Sequence, residues 1–436
     1  MDNNEKKELS ESDIKAKFIT PAIVQAGWDE MTQIRREVTL TPGPVIVRGN
    51  LSSRNKKKKK FADYVLQKEK GVPVAVVEAK ENNYTISHGL QQALGYAEIL
   101  EVPCAFSSNG DGFASHNKAA AEGEDTETEF GLEVFPSPTE LWERYKRFRG
   151  ITEDQETLVT EPYHDDGGGK EPRYYQAEAV NRVIEKVAQG EKRLLLVMAT
   201  GTGKTYTTFQ IIYRLWKAKK AKRILFLVDR NVLADQTLVN DFKPFGSVMT
   251  KIRNRKIDPA YEVYLGLYQA LTGPDDEDKI FKSVKHDFFD LIVIDECHRG
   301  SANDDSAWKE ILEYFDGAIQ LGMTATPKRT DNVDTYAYFG EPVFTYSLGQ
   351  GIDDGFLANY KVHHVRSNLD RDGLSLAEAQ QEGAHSYIPE DATPRPEYGT
   401  PSFERDITVP DRVRLHCEHL VNLLRIYGRM EKTIVY

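Results

Sequence analysis

The chain is short of cysteine, of long apolar runs and of positive charge. Its three cysteines in 436 residues, Cys104, Cys297 and Cys417, lack metal-ligand spacing, which argues against a disulfide framework and for a reducing compartment. No stretch approaches the roughly 20 apolar residues of a membrane-spanning helix. The first residues, MDNNEKKELSESD, are polar and acidic and carry no signal-peptide pattern. A cytoplasmic chain without a membrane partner is therefore expected. A net charge of -11 excludes a globally basic nucleic-acid binder, so any contact with DNA must use local basic surfaces. There is no internal repeat. The 40% hydrophobic content can fill the two or three cores that this length implies.

The most informative stretch is LLLVMATGTGKT, Leu194 to Thr205. Leu194 to Met198 is continuously apolar, as suits the centre of a parallel sheet covered on both faces. Gly201 and Gly203, alternating with Thr200 and Thr202, let the backbone turn and aim N–H groups inward. Lys204 adds a point charge, and the Thr205 hydroxyl can ligate magnesium. The following TYTTFQIIYRLWK reads as a helix whose N-terminus favours an anion. A strict GxxxxGK[ST] loop has glycine where this chain has Met198, so the signal is GTGKT alone. Its bland alternative is a glycine turn between strand and helix.

A second apolar strand, in FFDLIVIDECHR (Phe288 to Arg299), delivers Asp295 and Glu296 to the end where open α/β sheets hold ligands. There Asp295 would hold magnesium, and Glu296 would orient or deprotonate the water attacking a γ-phosphate. With LGMTATP (Leu321 to Pro327) following, this order resembles the superfamily 2 helicases and translocases. The resemblance spans Glu171 to Pro342. It implies ATP as the nucleotide, an adenine-reading segment at Arg173-Tyr174-Tyr175-Gln176, and motif Ia at Phe226 to Gln236. It also implies a motif III at Thr324-Ala325-Thr326 and a coupling role for His298, Thr324 and Thr326.

The N-terminal region carries other chemistry. FADYVLQKEKGVPVAVVEAK, Phe61 to Lys80, reads as two strands joined through Lys70-Gly71. Pairing then runs outward from Glu69 with Val72 and sets Asp63 opposite Glu78. Cross-strand partners lie roughly 5 Å apart at Cβ, close enough for two carboxylates to share one divalent cation. Alternation puts Lys80 on the face of Glu78. Such a cluster suits phosphodiester hydrolysis, with an ion polarising the phosphate and activating water while Lys80 offsets developing charge. The bland alternative is a hairpin with a solvated Glu and Lys. Ser87 is expected to cap a helix with Leu90, Ala93, Leu94 and Ala97 as its apolar stripe, which places Gln92 and Tyr96 one turn apart.

Asp63 with Glu78-Ala79-Lys80 resembles the PD-(D/E)xK nucleases, although Ala62 stands where those have proline. Gln92 and Tyr96 are similar to the QxxxY element of the RecB-like branch, where they position DNA. Nuclease followed by motor resembles the R subunits of type I restriction enzymes, as do PAIVQAGW (Pro21 to Trp28), FPSPTELW (Phe135 to Trp142) and RYYQAEAV (Arg173 to Val180). The resemblance implies an α/β architecture. A RecB-like nuclease domain would span 1–150, a linker 151–172, a RecA-like lobe 173–350, and the opening of a second RecA-like lobe 351–436. EGEDTETE at Glu122 to Glu129 and HDDGGG at His164 to Gly169 read as loop and junction, GPDDED at Gly273 to Asp278 as a turn, and Leu369 to Glu404 as loop-rich.

The resemblance also implies double-stranded DNA as substrate, methyltransferase and specificity subunits as partners, Mg2+ at Asp63 and Glu78, and Mg-ATP at Thr205 and Asp295. Because the chain closes on KTIVY, a truncated fragment with poor ATP turnover is expected, since the second-lobe arginine that completes such sites would lie beyond it. The alternative is a superfamily 2 translocase whose N-terminal domain binds DNA without cutting; an RNA helicase fits less well. Lys56 to Lys60 could grip phosphates or stand solvated. Glu11 and Asp13 could lie on a first helix facing the nuclease metal, but are expected instead to be exposed N-terminal acids.

Overall fold

A computed structural model describes residues 3–48, 51–168, 171–228, 241–252, 256–267, 271–272, 279–295, 297, 302–327, 329–330, 333–377, 385–389 and 393–428. Most of the expected motif Ia, the GPDDED turn, Glu296, His298 and the KTIVY end lie outside these residues. The chain divides into two compact units, Met1–Pro44 with Arg54–Leu357, and Val45–Ser53 with Ala358–Tyr436.

The larger unit contains two sheets. The first has six strands in chain order: β1 (Ile34–Thr41), β2 (Lys60–Glu69), β3 (Val72–Ala79), β4 (Cys104–Ser108), β5 (Gly112–Asn117) and β6 (Glu127–Gly131). All neighbours are antiparallel except β3 and β4. That parallel step needs a crossover, which helix α1 (Leu90–Ile99) supplies. Alternation along β3 sends Val76 to the face where α1 packs Ala93 and Ala97, and Val77 and Ala79 to the opposite face. There they meet Trp142 and Tyr145 of α2 (Pro138–Arg149) and Ile14, Ile19 and Ile23 from the N-terminal helical stretch.

The β2–β3 hairpin turns at Lys70-Gly71, where Gly71 takes a φ of 85°, a region open chiefly to glycine. Pairing begins with Glu69 opposite Val72. Lys68 and Val74 are then skipped, one on each strand, and the two irregularities cancel. By Tyr64 opposite Val77 the register is again the one counted outward from the turn, so Asp63 faces Glu78.

The second sheet is wholly parallel, with strand order β9-β10-β8-β11-β12-β7-β13. These are β7 (Arg193–Met198), β8 (Ile224–Val228), β9 (Met249–Lys251), β10 (Val263–Leu267), β11 (Leu291–Asp295), β12 (Ile319–Thr324) and β13 (Phe344–Tyr346). Leu194, Leu196 and Met198 face α3 (Tyr174–Ala188) and α4 (Lys204–Lys217), whereas Leu195 and Val197 join Ile292, Trp308 and Ile311 on the other side. Burial on both faces explains why these strands read as continuous apolar runs.

The two sheets of this unit are joined by buried charge. Arg149, at the end of α2, donates to Glu178 of α3 at 2.8 Å and to the Glu101 carbonyl at 2.9 Å, while Tyr145 donates to Glu185 at 2.7 Å. Burial pushes Glu178 up to about 8 despite the guanidinium beside it. Removing one partner of such a network leaves charge stranded in the interior. Arg149→Met is expected to destabilise the protein by about 3 kcal/mol in urea unfolding, and a loss below about 1 kcal/mol would show the network to be dispensable.

The smaller unit carries a small core of Leu374, Tyr398, Phe403, Ile407 and Val409, and a helix, Pro410–Tyr427. No described helix of the chain is long and apolar enough to cross a membrane.

Candidate functional sites

The hairpin gathers the first cluster. Asp63 and Glu78 are both buried, and the Ala79 N–H donates to Asp63 Oδ2 at 2.8 Å. Lys80 Nζ donates to Glu78 Oε1 at 2.7 Å and to Gln92 Oε1 at 3.2 Å, and Gln92 Nε2 donates to the Tyr96 hydroxyl at 2.8 Å. Asp63, Glu78, Lys80, Gln92 and Tyr96 thus meet in one place. Glu78 Oε2 is buried and makes no hydrogen bond. A bare carboxylate oxygen in the interior is costly unless something binds it. Burial, and next the charge of Asp63, push Glu78 up to about 7.

Those features fit a divalent cation. Among the described residues no three His, Cys, Asp or Glu side chains form a ready-made cage. Magnesium, however, is commonly held by one or two carboxylates with water and substrate phosphate completing its shell. A pH dependence follows. An acid raised from 4.5 to about 7 stabilises the fold fully below 4.5, and that contribution disappears as pH rises through 7. Without divalent ions, wild type should therefore lose stability relative to Glu78→Gln between about pH 4.5 and 7.5, read by denaturant titration at each pH. A flat difference would contradict the buried, raised carboxyl.

Helix α1 approaches this cluster differently from the expectation. Ser87 does not cap it; the helix begins at Leu90 with Gly89 before it and no side-chain cap. Instead the Gly89 N–H donates to Ser107 Oγ at 3.0 Å. A Cβ at position 89 would lie 2.8 Å from that oxygen and 3.0 Å from Glu78 Cγ, so the close approach of helix to cluster excludes a side chain there. The two N-terminal acids diverge, Asp13 keeping to the surface as expected and Glu11 lying beside the cluster. Asp13 turns to Ser10 and Lys17, but half-buried Glu11 reaches Lys15 at 3.6 Å, and its carboxyl is raised by burial and then by Asp63. Lys15 bridges Asp63 and Glu37, and sequence reasoning missed both Lys15 and Glu37. Lys56 to Lys60 are exposed.

The second cluster lies at the carboxyl ends of adjacent parallel strands. β7 runs into Gly201 and Gly203, whose φ values of 82° and 88° are left-handed, and α4 starts at Lys204. Thr202 is buried, with its Oγ1 donating to the Ala199 carbonyl at 2.6 Å. The Thr202 carbonyl accepts from the Tyr175 hydroxyl at 2.9 Å and from Gln176 Nε2 at 2.8 Å, while Gln176 Oε1 accepts the Arg173 N–H at 2.9 Å. The segment Arg173 to Gln176 is therefore wired to the loop. Thr200 precedes the glycines and Thr205 follows Lys204 on α4.

Asp295 ends β11 opposite Met323, and Thr324 ends β12 opposite Val197 of β7, so both approach the loop. Thr324 Oγ1 accepts the Thr326 N–H at 3.1 Å. Tyr346 is a residue that sequence reasoning missed. It stacks on Tyr175 with ring centroids 3.9 Å apart, and with Tyr174 it donates to Asp354 of α5 (Leu348–Asp354).

The endonuclease subunit of the EcoAI type I restriction enzyme of Escherichia coli is 52% identical over 428 residues, 98% of this chain and 52% of that protein. The chain is thus similar to a type I restriction endonuclease subunit over nearly the whole of its own length. The EcoKI subunit of E. coli strain K12 is 26% identical over 86% of this chain and 37% of its own length. The fragment structure of a protein described as an HsdR subunit of a type I restriction enzyme, from Vibrio vulnificus YJ016, superposes with a TM-score of 0.66 and 41% identity, covering 80% of this chain and 61% of that one. The family described as type III restriction enzyme, res subunit, matches residues 169–329, which include the GTGKT loop. The chain spans about half the length of the EcoAI relative.

Proposed function

We propose that this chain is the motor and nuclease part of a type I restriction complex, moving double-stranded DNA with ATP and cutting it. The observation that carries the reading is that one chain holds a GTGKT loop at the end of a parallel sheet and, on a separate sheet, a buried Asp63–Glu78 pair joined through Lys80 to Gln92 and Tyr96. Residues 1–150 act as a PD-(D/E)xK nuclease domain, 151–172 as linker, 173–350 as the first RecA-like lobe and 351–436 as the passage toward a second.

In the nuclease site, Asp63 and the bare Glu78 Oε2 would hold Mg2+, which when bound supplies charge to polarise the scissile phosphate. Lys80 sits where it can place the attacking water and offset negative charge on phosphate. Gln92 and Tyr96 would hold the DNA backbone beside it. In the motor, the loop N–H groups from Thr200 to Gly203 and the Lys204 ammonium cradle the nucleotide's phosphates, and Thr205 and Asp295 hold its magnesium. Arg173 and Gln176 border the adenine, and Thr324 and Thr326 pass nucleotide state into the sheet. Glu296 would orient the attacking water and His298 couple it to movement.

DNA, the methyltransferase and specificity subunits, and the cytoplasm are the partners and place this reading requires. Assembly of the full-length protein with those subunits should yield linear product from supercoiled plasmid only with ATP and Mg2+ together. ATP consumption without any cleavage under Mg2+ or Mn2+ would favour a translocase whose N-terminal domain only binds DNA.

A further inference from the structure

Two backbone irregularities converge on Asp63. Between the α-helical stretches Glu11–Ile14 and Thr20–Gln25 the chain makes one π turn, Lys15–Ile19, a geometry that is rare and concentrated at functional positions. On β1, Arg36 pairs with Tyr64 and Val38 with Ala62, so Glu37 falls opposite Asp63. Glu37 has a φ of 56°, a left-handed conformation that a residue with a side chain adopts only when its surroundings impose it. Between them stands Lys15, its Nζ 2.5 Å from Glu37 Oε1, 2.9 Å from Asp63 Oδ1 and 3.6 Å from Glu11 Oε1. The Lys15 side chain is only 15% exposed. Asp63 therefore has each oxygen engaged, one by the Ala79 N–H and one by Lys15, and its carboxylate cannot swing.

We propose that Lys15 is a positioning residue of the nuclease site, a tethered cation that fixes Asp63 and limits how tightly the site draws a divalent ion. The inference rests on the reading of Asp63 and Glu78 as ion ligands. Lys15 does two things at once. It keeps Glu11 and Glu37 turned toward itself, so two of four neighbouring acids are withheld from the ion. Its own charge also repels a second cation a few ångströms away, an effect worth about tenfold in affinity or more in a partly buried site. Its raised pKa, with Glu37 and Asp63 as hydrogen-bond partners outweighing burial, is consistent with a permanent charge.

The test is calorimetric titration of Mn2+ into the nucleotide-free full chain, paired with plasmid nicking in the assembled complex. Lys15→Met should bind Mn2+ about tenfold more tightly yet nick about tenfold more slowly, because the ion gains attraction while Asp63 loses its fixed orientation. Lys15→Arg should bring both values to within about threefold of wild type. Glu37→Gln, which leaves Lys15 only Asp63 and the more distant Glu11 as acidic partners among those named, should weaken Mn2+ binding, and it decides the matter should Lys15→Met fail to fold.

A purely structural Lys15 would weaken binding and nicking together on removal, and that result, or an unchanged affinity, overturns the inference. A wild-type Mn2+ site abolished by Glu78→Ala but indifferent to Lys15→Met sinks this inference alone. Absence of any Glu78-dependent Mn2+ site in wild type sinks the nuclease reading beneath it.

Discussion

Glu78→Ala is expected to lower DNA cleavage by about a thousandfold or more while ATP hydrolysis stays within about twofold of wild type. Glu78 offers the only carboxylate oxygen of the cluster recorded as both buried and without a hydrogen bond, and its other oxygen fixes the Lys80 ammonium at 2.7 Å. Alanine removes the proposed ion ligand and leaves Lys80 held by Gln92 alone among these partners, so the charge proposed to balance the phosphate is displaced as well. Nothing in the change reaches the GTGKT loop, which sits on the other sheet. The protein should not unfold, since Glu78 is raised toward 7 by burial and its removal relieves an unfavourable charge. Cleavage and ATP turnover measured in the same assembled complex separate this outcome from general misfolding, which would depress both.

Lys204→Ala has the complementary expectation. ATP binding should weaken by about a hundredfold or more, and both hydrolysis and ATP-dependent cleavage should fall to background, while Mn2+ binding at Asp63 and Glu78 is retained. Lys204 opens α4 immediately after Gly203, so its ammonium is carried at the helix N-terminus, where on the proposed reading the N–H groups and the lysine would act on the same anion. The loop itself should survive. Its shape is held by the left-handed glycines, by Thr202 on Ala199, and by Tyr175 and Gln176 on the Thr202 carbonyl, none of which involves the lysine side chain. Equilibrium binding of a fluorescent ATP analogue reads the first loss, and cleavage that persisted at wild-type rate would break the proposed dependence of cutting on the motor.

The parts legible in the sequence are those set by local rules. Apolar runs such as Leu194 to Met198 and Leu291 to Ile294 marked strands buried on both faces, and glycine followed by Lys-Thr marked the turn from β7 into α4. The hairpin register could be counted because Gly71 fixes the turn, although Lys68 and Val74 depart from the count in opposite senses and the agreement at Tyr64 and Val77 depends on their cancelling. Contacts made across the fold were not legible. Lys15 reaches Asp63 through a π turn that no residue type announces, and Glu37 adopts a conformation usually signalled by glycine. Ser87 looked like a cap, but the packing of Gly89 against Ser107 and Glu78 decided where the helix begins. Arg149 lies in an ordinary amphipathic helix, and only the tertiary approach of α3 makes it a buried partner of Glu178.

The account turns on whether Asp63 and Glu78 share an ion, and anomalous scattering from crystals of the protein soaked in Mn2+ reads this directly. The expected result is a peak lying roughly 2.0 to 2.4 Å from one oxygen of each carboxylate and absent from Glu78→Ala crystals. Strong Mn2+ peaks elsewhere on the first sheet with none between those two side chains would contradict the nuclease assignment.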